Sequence, residues 1–296
     1  MAVLSNHGAL NFSISSAADA AAISCYYIST AIAVSDTDHD GNEDIFVSSF
    51  LGTSFLTFLP NGTLASAAFR FPSLSAMNNP SATLADLDGD SFVDLVWTGL
   101  LTPNITVFPF RNIGGNFSAV ANSIAGVAYG SLAVAEFTGD AKVDIVVSGR
   151  LANGSGLATL YAQNGFWSFV RRSDIIFSNF SPYSVAAVPL RSQSSALDLV
   201  LTANTNQLQH ASPIYVYQNN GNGSFSNATA PWLPSAFIGI VARGPDIGAS
   251  PSFLAFGATA AVDLIGSATM TVVRWSDIST VSFRSRSVAF RCIMAK

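Results

Sequence analysis

The sequence predicts an all-β fold, a β-propeller of about five to six four-stranded blades, on three observations. An Asp-rich loop between two short apolar strands recurs about every 50 residues. An Asn-Gly turn follows each such loop at nearly the same period. Strand-like alternation runs throughout the 296 residues, and no stretch carries a 3.6-residue helical pattern.

Four segments align on the loop: AIAVSDTDHDGNEDIFVSS from Ala31, ATLADLDGDSFVDLVWTG from Ala82, LAVAEFTGDAKVDIVVSG from Leu132 and VAAVPLRSQSSALDLVLTA from Val185. Their last acids, Asp44, Asp94, Asp144 and Asp198, are spaced by 50, 50 and 54. Each segment reads as strand, polar loop, strand. Next come FLTFLPNGTL, VFPFRNIGGNF, LYAQNGFW and VYQNNGNGSF, whose asparagines Asn61, Asn112, Asn164 and Asn219 are spaced by 51, 52 and 55. Asn-Gly provides the positive φ angles of tight hairpin turns, so a third and a fourth strand follow in antiparallel order.

Repeat units are therefore expected at about 31–80, 81–130, 131–182 and 183–236, with a degenerate fifth at 237–290, all within one propeller domain spanning 1–296. Residues 1–30 read as half a unit, with Asn6-His7-Gly8 at its turn. A chain that starts and ends partway through units suggests closure of one blade by strands from both termini, which removes exposed sheet edges. A pair of β-sandwiches explains the period poorly.

The loops carry the chemistry. Numbered from the first acid, positions 1, 3, 5 and 9 are Asp36, Asp38, Asp40 and Asp44 in one loop and Asp86, Asp88, Asp90 and Asp94 in the next. Alternate side chains of a curling loop converge, and position 7 (Asn42 or Phe92) can add a backbone carbonyl. Four converging carboxylates repel, each pair by about 1–4 kcal/mol depending on screening, and a hard divalent cation reverses that sign. Oxygen-only donors select Ca2+; zinc would call for His or Cys. An EF-hand is excluded, because position 12 is Val47 or Trp97 where a Glu is required. Two Ca2+ sites are expected. The third loop, with Glu136, Thr138, Asp140, Lys142 and Asp144, is a weaker candidate. The fourth retains only Asp198, and the fifth has no matching acids, so neither is expected to bind metal.

Composition narrows the partners. Thirteen basic residues, with no run beyond Arg171-Arg172, and a net charge of −5 argue against nucleic acid. Mean hydropathy is +0.40. The most apolar stretches, 20–34 and 251–273, are interrupted by polar residues, and no membrane span is expected. Residues 1–13 have neither the basic charge nor the apolar run of a leader peptide, so a secreted protein is expected either to be represented here without its leader or to be exported differently. Eight N-x-[ST] sequons, at Asn11, Asn61, Asn104, Asn116, Asn153, Asn179, Asn222 and Asn227, lean towards an extracellular or cell-surface setting. The two cysteines, Cys25 and Cys292, read either as unrelated buried thiols or as a disulfide joining the termini.

The segments ADLDGDSFVDLVWTG (85–99), VSDTDHDGNEDIFVSS (34–49) and VYQNNGNGSF (216–225) resemble the FG-GAP or VCBS repeat, the unit of the integrin α-subunit propeller, of secreted microbial propellers and of some fungal lectins. The resemblance runs from about Asn6 to Trp275. It implies calcium in the loop joining the first two strands of a blade, carried onto Asp36, Asp38, Asp40, Asn42 and Asp44 and onto Asp86, Asp88, Asp90, Phe92 and Asp94. It also implies a recognition module, for adhesion or glycan binding, with a protein or carbohydrate ligand; the family usually has seven blades, more than this chain's repeats supply.

No catalytic residues are expected. G-x-S-x-G, H-E-x-x-H and P-loop patterns are absent, and His7, His39 and His210 all sit in turns or polar loops. Two other readings stay open at this stage. One is a polysaccharide-processing enzyme using scattered acids such as Asp174, Asp246, Asp263 and Asp277; the other is a spacer within a larger surface protein. Trp167 and Trp232, which follow turns, are the aromatic residues expected at the surface.

Overall fold

The computed structural model describes residues 2–6, 12–16, 30–49, 52–59, 64–66, 78–101, 104–122, 124–175, 177, 181–188, 196–204, 214–228, 239–243, 252–258, 268–274 and 286–288. The chain divides into two compact units, Met1–Asn122 and Ser123–Lys296. Every element among the described residues is a strand, and no helix there is long and apolar enough to cross a membrane.

In the first unit, β1 (Ala2–Asn6) and β2 (Phe12–Ser16) form an antiparallel pair. A four-stranded antiparallel meander follows, made of β3 (Thr30–Ser35), β4 (Asp44–Ser49), β5 (Gly52–Phe58) and β6 (Leu64–Ser66). The next meander is β7 (Asn78–Ala85), β8 (Asp94–Leu101), β9 (Asn104–Ile113) and β10 (Asn116–Ala119). Its first strand lies beside β3.

The second unit holds three further meanders. The first is β11 (Ala128–Ala135), β12 (Asp144–Arg150), β13 (Gly156–Gly165) and β14 (Ser168–Arg171). Then come β15 (Ser181–Val188), β16 (Asp198–Asn204), β17 (Ile214–Asn219) and β18 (Phe225–Asn227). The last is β19 (Gly239–Arg243), β20 (Ser252–Ala258), β21 (Ala268–Arg274) and β22 (Arg286–Val288). First strands again neighbour one another, β11 beside β15 and β15 beside β19.

The sheets thus match the expected units of four strands each. Among the described strands β1 and β2 pair only with each other, and the fifth sheet is completed by its own β22.

Second strands read as continuous apolar runs because both of their faces are covered. Leu95, Val96 and Trp97 are wholly buried, as are Ile145, Val146 and Val147. In the first unit Phe46 of one sheet meets Trp97 of the next edge-on at 6.1 Å, and Phe55 stacks on Phe117 at 4.8 Å. In the second unit Phe137, Leu160, Leu199 and Tyr217 form the corresponding core. Among the described residues, most phenylalanines therefore pack between sheets. Ser131 adds a polar link: its hydroxyl accepts the Val185 N–H at 2.6 Å, clipping β11 to β15.

The hairpins form where expected, but the asparagines do not turn the chain. Between β9 and β10 the positive φ angles fall on Gly114 (+56°) and Gly115 (+81°), while Asn112 is the buried end of β9. Between β13 and β14 the turn is Phe166-Trp167, Trp167 takes φ +54°, and Asn164 is exposed on the strand. Between β17 and β18 it is Gly221 and Gly223 that take positive φ. Asn61 lies outside the described residues.

Asn112 instead joins sheets. Its side-chain amide donates to the Thr37 carbonyl of the preceding sheet's loop at 2.7 Å and to Val93 O at 3.0 Å, and its Oδ1 accepts Gly115 N–H at 2.9 Å. Asn219 repeats the contact in the second unit, donating to Phe137 O at 3.1 Å and accepting Gly221 N–H at 2.9 Å. The Asn112→Ala variant strands these buried groups and is expected to lose about 2 kcal/mol of unfolding free energy in urea titration. A loss below about 0.5 kcal/mol would contradict the clip.

Candidate metal centre

The loop between β3 and β4 brings Asp36, Asp38 and Asp40 together, with one carboxylate oxygen of each within 4.8 Å of the others. Its shape is set by carboxylates accepting backbone N–H groups. Gly41 N–H donates to Asp36 Oδ2 at 3.0 Å, Asp40 N–H to Asp38 at 3.2 Å and Asn42 N–H to Asp40 at 2.8 Å. Asp44, fully buried at the loop's end, accepts Thr37 N–H at 2.9 Å and the Thr37 hydroxyl at 2.5 Å, both on Oδ2. Two oxygens, Asp36 Oδ1 and Asp44 Oδ1, are buried without a hydrogen-bond partner. Orphaned anionic oxygens beside a cluster of oxygen donors fit a hard cation.

The β7–β8 loop gathers Asp86, Asp88 and Asp94 within the same 4.8 Å. Asp86 accepts Gly89 N–H at 2.7 Å and Ser91 N–H at 2.9 Å, and Asp90 accepts Phe92 N–H at 3.0 Å. Here a cationic side chain joins the cluster. Arg111 of β9 donates Nε–H to Asp88 at 2.6 Å and Nη2–H to Asp90 at 3.2 Å. The two loops touch through rings, His39 stacking on Phe92 with centroids 4.6 Å apart.

In the β11–β12 loop Glu136 accepts the Gly139 and Asp140 N–H groups, Thr138 donates to Asp140 at 3.1 Å, and Lys142 Nζ stands 3.5 Å from Asp140. Among the described residues, clusters of three acidic oxygens occur only in the first two loops. The third nevertheless keeps the same backbone. Positions 4 and 6 take positive φ in each loop: His39 and Gly41, Gly89 and Ser91, Gly139 and Ala141. Gly139 also meets the next hairpin, since a Cβ there would sit 2.4 Å from Gly221 O.

The FG-GAP-like repeat family model matches residues 36–97, the segment that holds both Asp-rich clusters. Among solved structures, a fungal lectin from Aleuria aurantia, described as having a six-bladed β-propeller fold and a novel fucose recognition mode, is similar at TM-score 0.52 and 11% identity, over 89% of this chain and 80% of that one. A mutant of the same lectin in complex with Fucα1-6GlcNAc gives TM-score 0.54 at 8% identity, over 89% and 81%. The chain is a β-propeller with an FG-GAP-like repeat. A lectin from Agrocybe aegerita, described as recognising non-reducing terminal N-acetylglucosamine, matches at TM-score 0.46 and 15% identity, over 90% and 86%. No curated protein matches the chain in sequence.

In the first four blades the ninth loop position is a buried aspartate. In the second and third its carboxylate bridges the loop and the third strand. Asp94 accepts Leu87 and Asn112 N–H at 2.9 and 2.8 Å; Asp144 accepts Phe137 and Gln163 N–H at 3.0 and 2.9 Å. Asp198, in the blade whose other loop acids are missing, is still buried and accepts Asn219 N–H at 2.8 Å. This is a structural use of the ninth acid, and it is present with or without neighbouring carboxylates.

Of the expected surface tryptophans, Trp167 is buried at 7% exposure, and its neighbour Phe166 is the exposed ring at 70%. Tyr129, in a bulge of β11 with φ +53°, is half exposed. Cys25, Cys292, Trp232, His7 and His210 lie outside the described residues.

Burial pushes the Asp94 carboxyl up to about 7, against the pull of its two N–H donors, with Asp88 and Asp90 adding like charge. Burial likewise raises Asp38 and Asp144. An unfolded Asp titrates near ~3.9. The stability that Asp94 contributes by holding its proton is therefore complete below ~4 and is lost as pH rises through about 7. In chelator, the melting temperature is expected to climb as pH is lowered from 7.5 to 5, and Asp94→Asn should remove much of that slope. A slope unaltered by the substitution would contradict the assignment.

Proposed function

We propose that this propeller is an extracellular carbohydrate-recognition module whose Asp-rich loops take up Ca2+ as structural ions. The observation that carries the calcium half is the first loop, where Asp36, Asp38 and Asp40 converge and Asp36 Oδ1 and Asp44 Oδ1 are buried without partners. Asp44 and the Asn42 carbonyl complete the ligand set of the proposal. In the second loop the set is Asp86, Asp88, Asp90, Asp94 and the Phe92 carbonyl. The third loop, with Glu136, Thr138, Asp140, Lys142 and Asp144, is weaker still, since Lys142 already neutralises Asp140. An ion in such a loop stabilises the fold by mass action, by about 2.7 kcal/mol at 100 times its dissociation constant.

The carbohydrate half is supported by the similarity to the Aleuria aurantia lectin, described as recognising fucose. Exposed rings suit it, because a sugar's C–H face packs on an aromatic plane; Tyr129 and Phe166 supply them. The extracellular setting is supported by sequon asparagines on exposed turns and edges, Asn116, Asn153, Asn222 and Asn227. Enzymatic use of Asp174 is disfavoured: Arg172 grips its carboxylate at 2.7 Å and holds it down at about 2, too acidic for a general acid.

On chelation with EGTA the melting temperature should fall by several degrees, and Asp36→Asn should abolish most of that response. An unchanged melt, with no calcium bound by the stripped protein, would sink the structural-ion proposal. On a glycan array the calcium-loaded chain is expected to bind a defined set of sugars. Tyr129→Ala or Phe166→Ala should then weaken binding about tenfold with the melt unchanged. Silence across the array would refute the carbohydrate reading and return adhesion to a protein ligand as the better account.

A further inference from the structure

The two Asp-rich loops are alike in sequence and unlike in charge balance. In the second, the Arg111 guanidinium lies 2.6 Å from Asp88 and 3.2 Å from Asp90. The Asp88 side chain is only 1% exposed, so its charge is taken out of water with that guanidinium as a direct partner. Register shows why the first loop differs. Thr57 is the Cα partner of Asp44 across β4 and β5. Leu95 pairs with Phe110, which puts Arg111 at the equivalent place opposite Asp94. In the third blade Ile145 pairs with Tyr161, so the place falls to Ala162; in the fourth Leu199 pairs with Tyr217, so it falls to Gln218. Among these four blades only the second carries a cation at that position.

We infer that Arg111 is a built-in counter-ion of the second loop, occupying the place where a cation would act and competing with calcium for Asp88 and Asp90. The inference rests on the calcium reading of the loops. Calcium needs the same carboxylate oxygens that receive the guanidinium N–H groups, and both cannot hold them at once. Binding there must first release two charge-assisted hydrogen bonds, which weakens it by about tenfold to a hundredfold relative to an unblocked loop. In return the second loop stays folded when calcium is scarce. Among the described residues the first loop has no such substitute, with Thr57 at the equivalent place, and it takes the calcium dependence of its blade.

Calorimetric titration of calcium into the chelator-stripped full chain tests this. The wild type should show a tight class of site, removed by Asp36→Asn, and a class at least about tenfold weaker. Arg111→Gln should tighten the weak class about tenfold or more. It should also lower the melting temperature in EGTA, and calcium should restore it. Thr57→Arg, which transplants the cation to the first loop, should weaken the tight class. If Arg111→Gln leaves both the weak class and the EGTA melt at wild-type values while Asp36→Asn still removes the tight class, the counter-ion role is wrong and the calcium reading stands. If neither the wild type nor Arg111→Gln binds calcium, the calcium reading fails and this inference fails with it.

Discussion

The second and third blades each depend on one buried carboxylate. Asp94 and Asp144 start the second strand, reach back to the N–H of the loop's second residue and reach across to an N–H on the third strand. Burying an ionised or even a neutral carboxyl is costly unless its oxygens are satisfied. Once that position is committed to the interior, loop and third strand must come to it. Three chain segments are thereby held in register by a single side chain. The neighbouring blade then attaches to the same loop, since Asn112 and Asn219 donate to the carbonyls of Thr37 and Phe137, the residues whose N–H groups the buried acids hold.

That arrangement separates two roles easily confused in an Asp-rich loop. The ninth acid persists as Asp198, where the other loop acids are gone, so its retention follows from backbone hydrogen bonding alone. The first, third and fifth acids shape the turn as well, each accepting a loop N–H in the first two blades. Only where three loop carboxylates converge, Asp36, Asp38 and Asp40 or Asp86, Asp88 and Asp94, does like-charge repulsion concentrate at one point. Among the described residues the first loop has no local counter-charge, the second balances its charge with Arg111, and the third reduces it through Thr138 and Lys142. The same backbone carries all three solutions, because positions 4 and 6 adopt positive φ whether they are His and Gly, Gly and Ser, or Gly and Ala.

What was legible in the sequence is what depends on local pattern. The 50-residue period, the four strands per unit and the convergence of Asp36, Asp38 and Asp40 follow from side chains close together in the chain. The role of Asn112 was not legible, because its decisive bond spans 75 residues to Thr37 and a bare Asn-Gly motif reads as a turn. Arg111 escaped for a similar reason: only the pairing of β8 with β9 shows that it faces the loop of its own blade. Trp167 was expected at the surface because it follows a turn, but it lies within the turn and is buried. A register shift between Gln163 and Gly165 carries Phe166 outward and Trp167 inward at the turn.

Strand geometry also constrains how calcium and a ligand could be related on this scaffold. Tyr129 sits at the start of β11, and the loop beginning with Glu136 follows its end. Seven residues of extended chain span roughly 23 Å. A sugar stacked on Tyr129 is therefore out of reach of any ion held by that loop, and calcium cannot act there by ligating sugar hydroxyls. Its influence on such a site has to pass through the hydrogen-bonded strand, as rigidity of the blade. On the calcium and carbohydrate readings proposed above, binding at Tyr129 should then track the folded population across a calcium titration and show no separate dependence on an ion in that loop.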